Sequence, residues 1–325
     1  MSVSEALKTR DKKKIKQYWP ELRSSDIECI GGGGYARCYS IDGEATLKVF
    51  TVQGLKQLSE QFGLRRTRRK SMHRSIDHLI DRLREVGQGP EIIEEFCKEN
   101  IMGYKHVKGC PLHKYVEWMD ELEVEMREKA LVLKGISDNI AQLQDKGYVH
   151  GDLKPENIIL EGLIEGKEYE PYEYPCGDYE PKITFIDWDL CQKTSTREGV
   201  FCCDARGVSG SLEWTPAEYF SFGSYQPRSE TETLGKLMYY VLCGKMIYES
   251  EGTLKDEEVL FFGDAMQQIY RELPEFEINQ ELPENIESSM KGMIKHCLLR
   301  SSARPHARQV SEYLKELADV VTMQY

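Results

Sequence analysis

The sequence predicts a two-lobed α+β protein, a small β-rich lobe followed by a larger helical one. Three observations carry this. Strand-like pieces grouped around glycines fill the first third, amphipathic helical stripes fill the remainder, and Gly109 and Pro111 mark the change. A chain of 325 residues is long enough for two lobes, each with its own core. The implied division is an N-terminal extension at 1–26, a first lobe at 27–106 and a second at 107–325.

Residues 1–25 are charged and helix-prone, with Trp19 and Leu22 available to dock the segment on the body. Strands are expected at DIECI, YARCYSI and ATLKVF, with Asp42-Gly43 as a hairpin turn. Residues 54–86 read as helix, broken near the basic run Arg65–Ser71, and Ile76, Leu79, Leu83 and Val86 form one apolar stripe. Two short strands are expected at EIIEEFC and ENIMGYKHV. Residues 125–145 place Met126, Ala130, Leu133, Ile136, Ile140 and Leu143 on one helical face, and 230–243 and 286–300 also read as helix.

Composition narrows the class. Hydrophobic residues make up 40% and charged residues 30%, which suits a globular protein. A net charge of −12 disfavours nucleic acid or an anionic membrane as the main partner. No apolar run reaches the length of a membrane span, and the N-terminal segment lacks the apolar centre of a secretory signal. Ten cysteines without a C-x-x-C pair suggest reduced thiols and a cytoplasmic location.

The most informative stretch is Tyr148-Val-His-Gly-Asp-Leu-Lys-Pro-Glu-Asn-Ile-Ile-Leu160. It resembles the catalytic loop of the protein kinases, whose pattern is His, a variable residue, then Asp-Leu-Lys-Pro-Glu-Asn. Phosphoryl transfer needs a carboxylate to accept the substrate hydroxyl's proton and an oxygen nearby to hold metal. The resemblance implies Asp152 as catalytic base, Lys154 reaching toward the transferred phosphate, and Asn157 as a ligand of Mg2+. The second carboxylate follows in Lys182-Ile-Thr-Phe-Ile-Asp187-Trp-Asp-Leu190, where the family has Asp-Phe-Gly. Asp187 is the second implied metal ligand, Trp188 the packing aromatic, and Asp189 replaces a glycine whose dihedral freedom it lacks.

Upstream, Ile30-Gly31-Gly32-Gly33-Gly34-Tyr35-Ala36-Arg37-Cys38 resembles the family's glycine-rich loop. Gly31, Gly33, Gly34 and Tyr35 fall at the phosphate-cradling positions, Ala36 stands for the third family glycine, and Cys38 stands over the adenine. Glycines let the backbone approach phosphate oxygens and present N–H groups to them. Ala45-Thr46-Leu-Lys48-Val-Phe50 matches the strand carrying the lysine that holds the ATP phosphates, with Thr46 narrowing the adenine pocket. If Lys105-His106-Val107 is the hinge, Tyr104 is the gatekeeper. The carboxylate partner of Lys48 stays open among Asp77, Asp81 and Glu60.

Gly210-Ser-Leu-Glu-Trp-Thr-Pro-Ala-Glu218 resembles the end of the activation loop, with Ser211 for threonine, Trp214 for tyrosine and Pro216-Ala217 transposed. Glu218 is then expected to pair with Arg304 of Ala303-Arg304-Pro305. Glu230, five residues before Gly235, stands where an Asp anchors the catalytic loop. The resemblance covers residues 27 to 315 with its landmarks in order.

Two departures stand out. Gly151 replaces the arginine that in the family reads a phosphate on the activation loop, so loop phosphorylation is not expected to be required. An acidic, tyrosine-rich insertion with three prolines, at about 161–181, lies between the strands that separate Asp152 from Asp187. It reads as a solvated loop or as a docking surface for a basic partner. Ser71, in the basic run, is a candidate autophosphorylation site. Three readings remain: a serine/threonine kinase using ATP and Mg2+ on protein substrates, a small-molecule phosphotransferase of the aminoglycoside or choline type, which shares His-Gly-Asp and Ile-Asp-Trp-Asp, and a catalytically silent scaffold.

Overall fold

In a computed structural model the chain divides into two units, Met1–Val107 and Lys108–Tyr325. The structure describes residues 3–61, 69–119, 124–162, 182–194, 213–222, 225–247, 284–299 and 301–322. The basic run at 65–68, the insertion at 163–181 and the Gly210–Leu212 segment with Ser211 lie outside the described residues, as do the side chains of Glu60 and Ser71.

The first unit opens with helix α1 (Val3–Tyr18), a turn of 3-10 helix at Pro20–Arg23, and then strands β1 (Ile27–Gly32), β2 (Ala36–Ile41) and β3 (Ala45–Phe50). Helices α2 (Val52–Gln61) and α3 (Arg69–Val86) precede β4 (Ile101–Lys105). The four strands form one antiparallel sheet in the order β1-β2-β3-β4. Asp42 and Gly43, both at positive φ, make the tight β2–β3 turn that an Asp-Gly pair favours.

Strand alternation sends Tyr39, Ile41, Ala45, Leu47, Val49 and Ile101 into one cluster with Ile15, Trp19, Leu22 and Ile27. The N-terminal extension is therefore part of the first unit's core. Trp19 donates its indole N–H to the Glu95 carbonyl at 2.7 Å and packs edge-on against Phe96. Asp11, also buried, accepts from Arg37 Nε at 2.6 Å and from Tyr39 Oη at 2.8 Å. Burial and that carboxylate push the Tyr39 phenol well up.

EIIEEFC does not form the expected strand. Only Ile92 bridges to Tyr104, and Glu94–Phe96 curls into a 3-10 turn. The Trp19 contacts explain this, because Phe96 leaves the ladder to meet the indole.

The second unit contains β5 (Gly109–Pro111), α4 (Leu112–Trp118), α5 (Met126–Lys146), β6 (Tyr148–Val149), β7 (Ile158–Glu161), β8 (Ile183–Phe185) and β9 (Gln192–Lys193). Helices α6 (Ala217–Phe222), α7 (Ser229–Cys243), α8 (Glu284–Cys297) and α9 (Ala307–Thr322) follow. Small antiparallel sheets β5-β7-β8 and β6-β9 frame the chain between Gly147 and Thr194. A Glu125–Glu128 capping box starts α5 and left-handed Gly147 ends it. Helix α7 is buried along all its length except Tyr240. Gly235 permits this packing, since a Cβ there would lie 2.7 Å from the Cys297 Cβ on α8. None of the described cysteines forms a disulfide, and no described helix is long and apolar enough to cross a membrane.

Replacing Trp19 with Ala removes a core aromatic and strands the Glu95 carbonyl. A loss of about 3–5 kcal/mol is expected, measured by urea unfolding with amide exchange of β1–β3 as the reporter.

Candidate active site

Sheet register places the cofactor-binding candidates of the first unit. Cys38 pairs with Lys48, Lys48 with Met102, and Thr46 with Tyr104. Paired residues in an antiparallel sheet share a face, so Cys38, Thr46, Lys48 and Tyr104 line one surface while α1 packs on the other. His106 joins this group through a 2.8 Å bond between its Nδ1 and Thr46 Oγ1. The Lys48 side chain is buried and its ammonium lies 5.5 Å from the Phe50 ring centre. Gly31, Gly33 and Gly34 have open space where a Cβ would project, and Tyr35 is exposed.

Helix α3 turns Ser75, Ile76, Leu79, Ile80, Leu83 and Val86 inward, and Ser75 bonds to Ser59 on α2 at 2.7 Å. Asp77 and Asp81 face solvent, Asp81 beside Arg84 at 3.2 Å. The buried face of α3, over its described side chains, thus carries no carboxylate.

In the second unit, the segment His150–Asn157 is held from several sides. His150 is fully buried, stacks near Trp188, and bonds through Nε2 to the Ile186 carbonyl at 2.9 Å. Its Nδ1 accepts from the Asp152 N–H at 3.4 Å, which assigns the proton to Nε2. One ring therefore ties the Asp152 backbone to the residue preceding Asp187. Asn157 donates from Nδ2 to the Asp152 carbonyl at 2.8 Å and to Asp152 Oδ2 at 3.2 Å, leaving Oδ1 as its remaining acceptor. Lys154 Nζ lies 3.3 Å from Asp152 Oδ2. Asp187 is left-handed at φ 64, and Trp188 anchors the turn by donating to the Phe185 carbonyl at 2.7 Å.

Gly151 adopts φ +85, and a Cβ there would lie 2.3 Å from the Leu190 carbonyl oxygen. Its N–H donates to Glu230 Oε1 at 2.9 Å and its carbonyl accepts from Tyr225 Oη at 2.8 Å. Burial pushes the Glu230 carboxyl up to about 7, against the opposing pull of the Gly151 and His150 N–H groups. Among the described residues Oε2 of Glu230 finds no hydrogen-bond partner, which suits a proton held there. A small, partly open cleft adjoins these residues, bounded also by Asp152, Trp214, Thr215 and Pro216.

Glu218 and Arg304 meet as the sequence suggested, with Arg304 Nη2 at 2.8 Å from Glu218 Oε2. The guanidinium also contacts Glu232, and Lys236 Nζ completes the group at 3.1 Å from Glu232 Oε1. Two carboxylates and two cations thus sit together inside the unit, all four side chains almost fully buried. The group grips the preceding segment: Ala217 N–H donates to Glu232 at 3.0 Å, and Lys236 donates to the Thr215 carbonyl at 2.8 Å.

The sequence profile of the protein kinase domain matches residues 24–314. The chain belongs to the protein kinase family. Similar proteins include the serine/threonine-protein kinase/endoribonuclease ire-1 of Caenorhabditis elegans, 24% identical over 55% of this chain and 18% of that protein. The maternal embryonic leucine zipper kinase of Xenopus laevis is 23% identical over 70% of this chain and 31% of its own length. The probable serine/threonine-protein kinase gdt2 of Dictyostelium discoideum is 26% identical over 70% of this chain and 11% of its own. The chain spans less than a third of each of these curated relatives.

Within this kinase domain, sequence reasoning missed Glu232, Lys236 and Tyr225. The acid–base spacing of Glu232 and Lys236 at i, i+4 was a signal, although such pairs usually lie in solvent. Tyr225 carries no local signal, because its bond to Gly151 depends on how distant segments pack.

Lys236→Met would leave buried negative charge in excess. Stability is expected to fall by about 3–5 kcal/mol, with partial recovery in Lys236→Met/Glu232→Gln, read by denaturant melts. For Glu230 the folded state holds its proton more tightly than the unfolded chain. Its contribution to stability is complete below the ordinary carboxylate range and is lost as pH rises through 7. Glu230→Gln is therefore expected to gain on the wild type between about pH 5 and about pH 8 in thermal melts.

Proposed function

We propose that this kinase domain transfers the terminal phosphoryl group of ATP to serine or threonine hydroxyls of protein substrates, assisted by Mg2+. The observation that carries the reading is the constraint on Asp152. Its N–H is bonded to His150, its carbonyl and Oδ2 to Asn157, and its carboxylate faces Lys154. Such a carboxylate is pre-set to accept a hydroxyl proton, with an ammonium beside it to offset phosphoryl charge.

The donor set fits the metal. Asn157 Oδ1 and the Asp187 carboxylate are hard oxygen ligands on neighbouring turns, since the Ile186 N–H donates to the Asn157 carbonyl at 2.9 Å. Mg2+ takes one or two protein oxygens and completes its shell with phosphate and water, so a larger acidic cluster is not required. Among the described residues no group of three or more His, Cys, Asp or Glu side chains is assembled for a metal. Bound there, Mg2+ would neutralise developing phosphate charge. In the first unit, Lys48 is assigned to the α- and β-phosphates and the Gly31–Tyr35 backbone to the phosphate oxygens. The adenine is assigned to the sheet face of Cys38, Thr46, Tyr104 and His106.

The small-molecule reading keeps one observation in its favour: Gly151 has room for no side chain, so the loop has the His-Gly-Asp form. Against it stands the buried group of Glu218, Glu232, Lys236 and Arg304, which fixes Trp214–Ala217 as a platform suited to a peptide. A reduced, cytoplasmic setting and a docking role for the insertion belong to the same proposal.

Radiolabelled transfer from ATP with magnesium, followed by phosphoamino-acid analysis, tests it. Phosphoserine or phosphothreonine on basic or acidic protein substrates should appear with wild type and drop at least about 100-fold in Asp152→Asn and Asp187→Asn. Transfer only to aminoglycosides or choline would replace the protein-kinase reading. Alanine at every Ser and Thr from Thr194 to Ser211 should leave activity within about threefold, because Gly151 offers no guanidinium to read a loop phosphate. Gly151→Ala, strained at positive φ, should cost about tenfold or more in the same assay.

A further inference from the structure

Behind the glycine-rich turn stands a small polar lock built from the start of α2. The Thr51 N–H donates to the Tyr35 carbonyl at 2.8 Å. The Thr51 hydroxyl donates its single hydrogen toward the Gly34 carbonyl at 2.8 Å, with the Tyr35 carbonyl a second acceptor at 3.0 Å. The same hydroxyl accepts from the Gly54 N–H at 3.0 Å, capping the helix. Gly54 allows the approach: a Cβ there would lie 2.1 Å from the Tyr35 carbonyl oxygen. Two successive carbonyls of the turn are thereby drawn to the helix.

A planar trans peptide points its N–H opposite its C=O. Fixing the Gly34 and Tyr35 carbonyls on the helix side therefore directs the Tyr35 and Ala36 N–H groups away from it. The turn would otherwise be poorly defined, since four glycines in succession have many accessible conformations. We propose that Thr51 and Gly54 are positioning residues for nucleotide binding, holding the Gly31–Tyr35 turn in the peptide orientation that meets the phosphates of ATP. The proposal rests on the assignment of that turn as the phosphate cradle. Neither residue touches the reacting atoms, so their effect falls on nucleotide affinity before it falls on turnover.

The experiment uses the full chain and three variants: Thr51→Val, which keeps shape without the hydroxyl, Thr51→Ser, which keeps the hydroxyl, and Gly54→Ala. Calorimetric titration with ATP and magnesium reports affinity. Amide exchange over Gly33–Ala36 without nucleotide reports the lock itself. Thr51→Val and Gly54→Ala should weaken ATP binding roughly tenfold and speed that exchange, with Thr51→Ser close to wild type. ATP affinity and exchange unchanged in Thr51→Val, or Ser as impaired as Val, would overturn the proposal. If Thr51→Val does not fold, Gly54→Ala decides in its place by the same two readouts. Wild type with no ATP affinity but with exchange that quickens in Thr51→Val would instead remove the phosphate-cradle assignment while leaving the lock in place.

Discussion

The second unit depends on the carboxylates carried by the first turn of α7. Glu230 takes the Gly151 N–H and so sets the backbone that presents Asp152. Two residues later, Glu232 takes the Ala217 N–H and the Arg304 guanidinium, and so sets the segment that leads into α6. Acceptors two apart on one helix point in different directions, which lets a single rigid element fix two loops at once. Burying so much charge is unfavourable unless it is balanced and hydrogen-bonded. Here Lys236 and Arg304 answer Glu218 and Glu232, while burial pushes the Glu230 carboxyl up to about 7. An aspartate at 230 would be shorter by one methylene and would fall short of the Gly151 N–H from the same backbone.

Much of this was legible in the sequence, for physical reasons. Strands β2 and β3 are joined by Asp42-Gly43, a pair whose tolerance of positive φ names the turn. The α5 stripe and the Glu218–Arg304 pair also follow from local patterns or a shared family spacing. The docking of Trp19 and Leu22 was legible too, since two large apolar residues in a charged segment have few other uses. What stayed hidden was long-range. The bend at Glu94–Phe96 answers to an indole more than 70 residues away, and Tyr225 reaches Gly151 through packing alone. Lys236 was hidden for a different reason: a lysine in a helix reads as solvated until the helix proves to be buried on nearly every side.

Two left-handed residues lie at the candidate site, Gly151 before Asp152 and Asp187 itself. Only the first is a glycine. A carboxylate residue held at φ 64 is strained by about 1 kcal/mol or more, so its neighbours must overdetermine it. They do so at three points: Trp188 donates back to Phe185, Ile186 donates to Asn157, and His150 donates to the Ile186 carbonyl. The family glycine that follows this Asp would relax the turn, whereas Asp189 stiffens it. A stiff turn is consistent with the absence of a guanidinium at 151. Under the proposed function, with no loop phosphate to read and Asp187 as a proposed metal ligand, the bonds that hold Asp187 in one conformation serve a single state of the site.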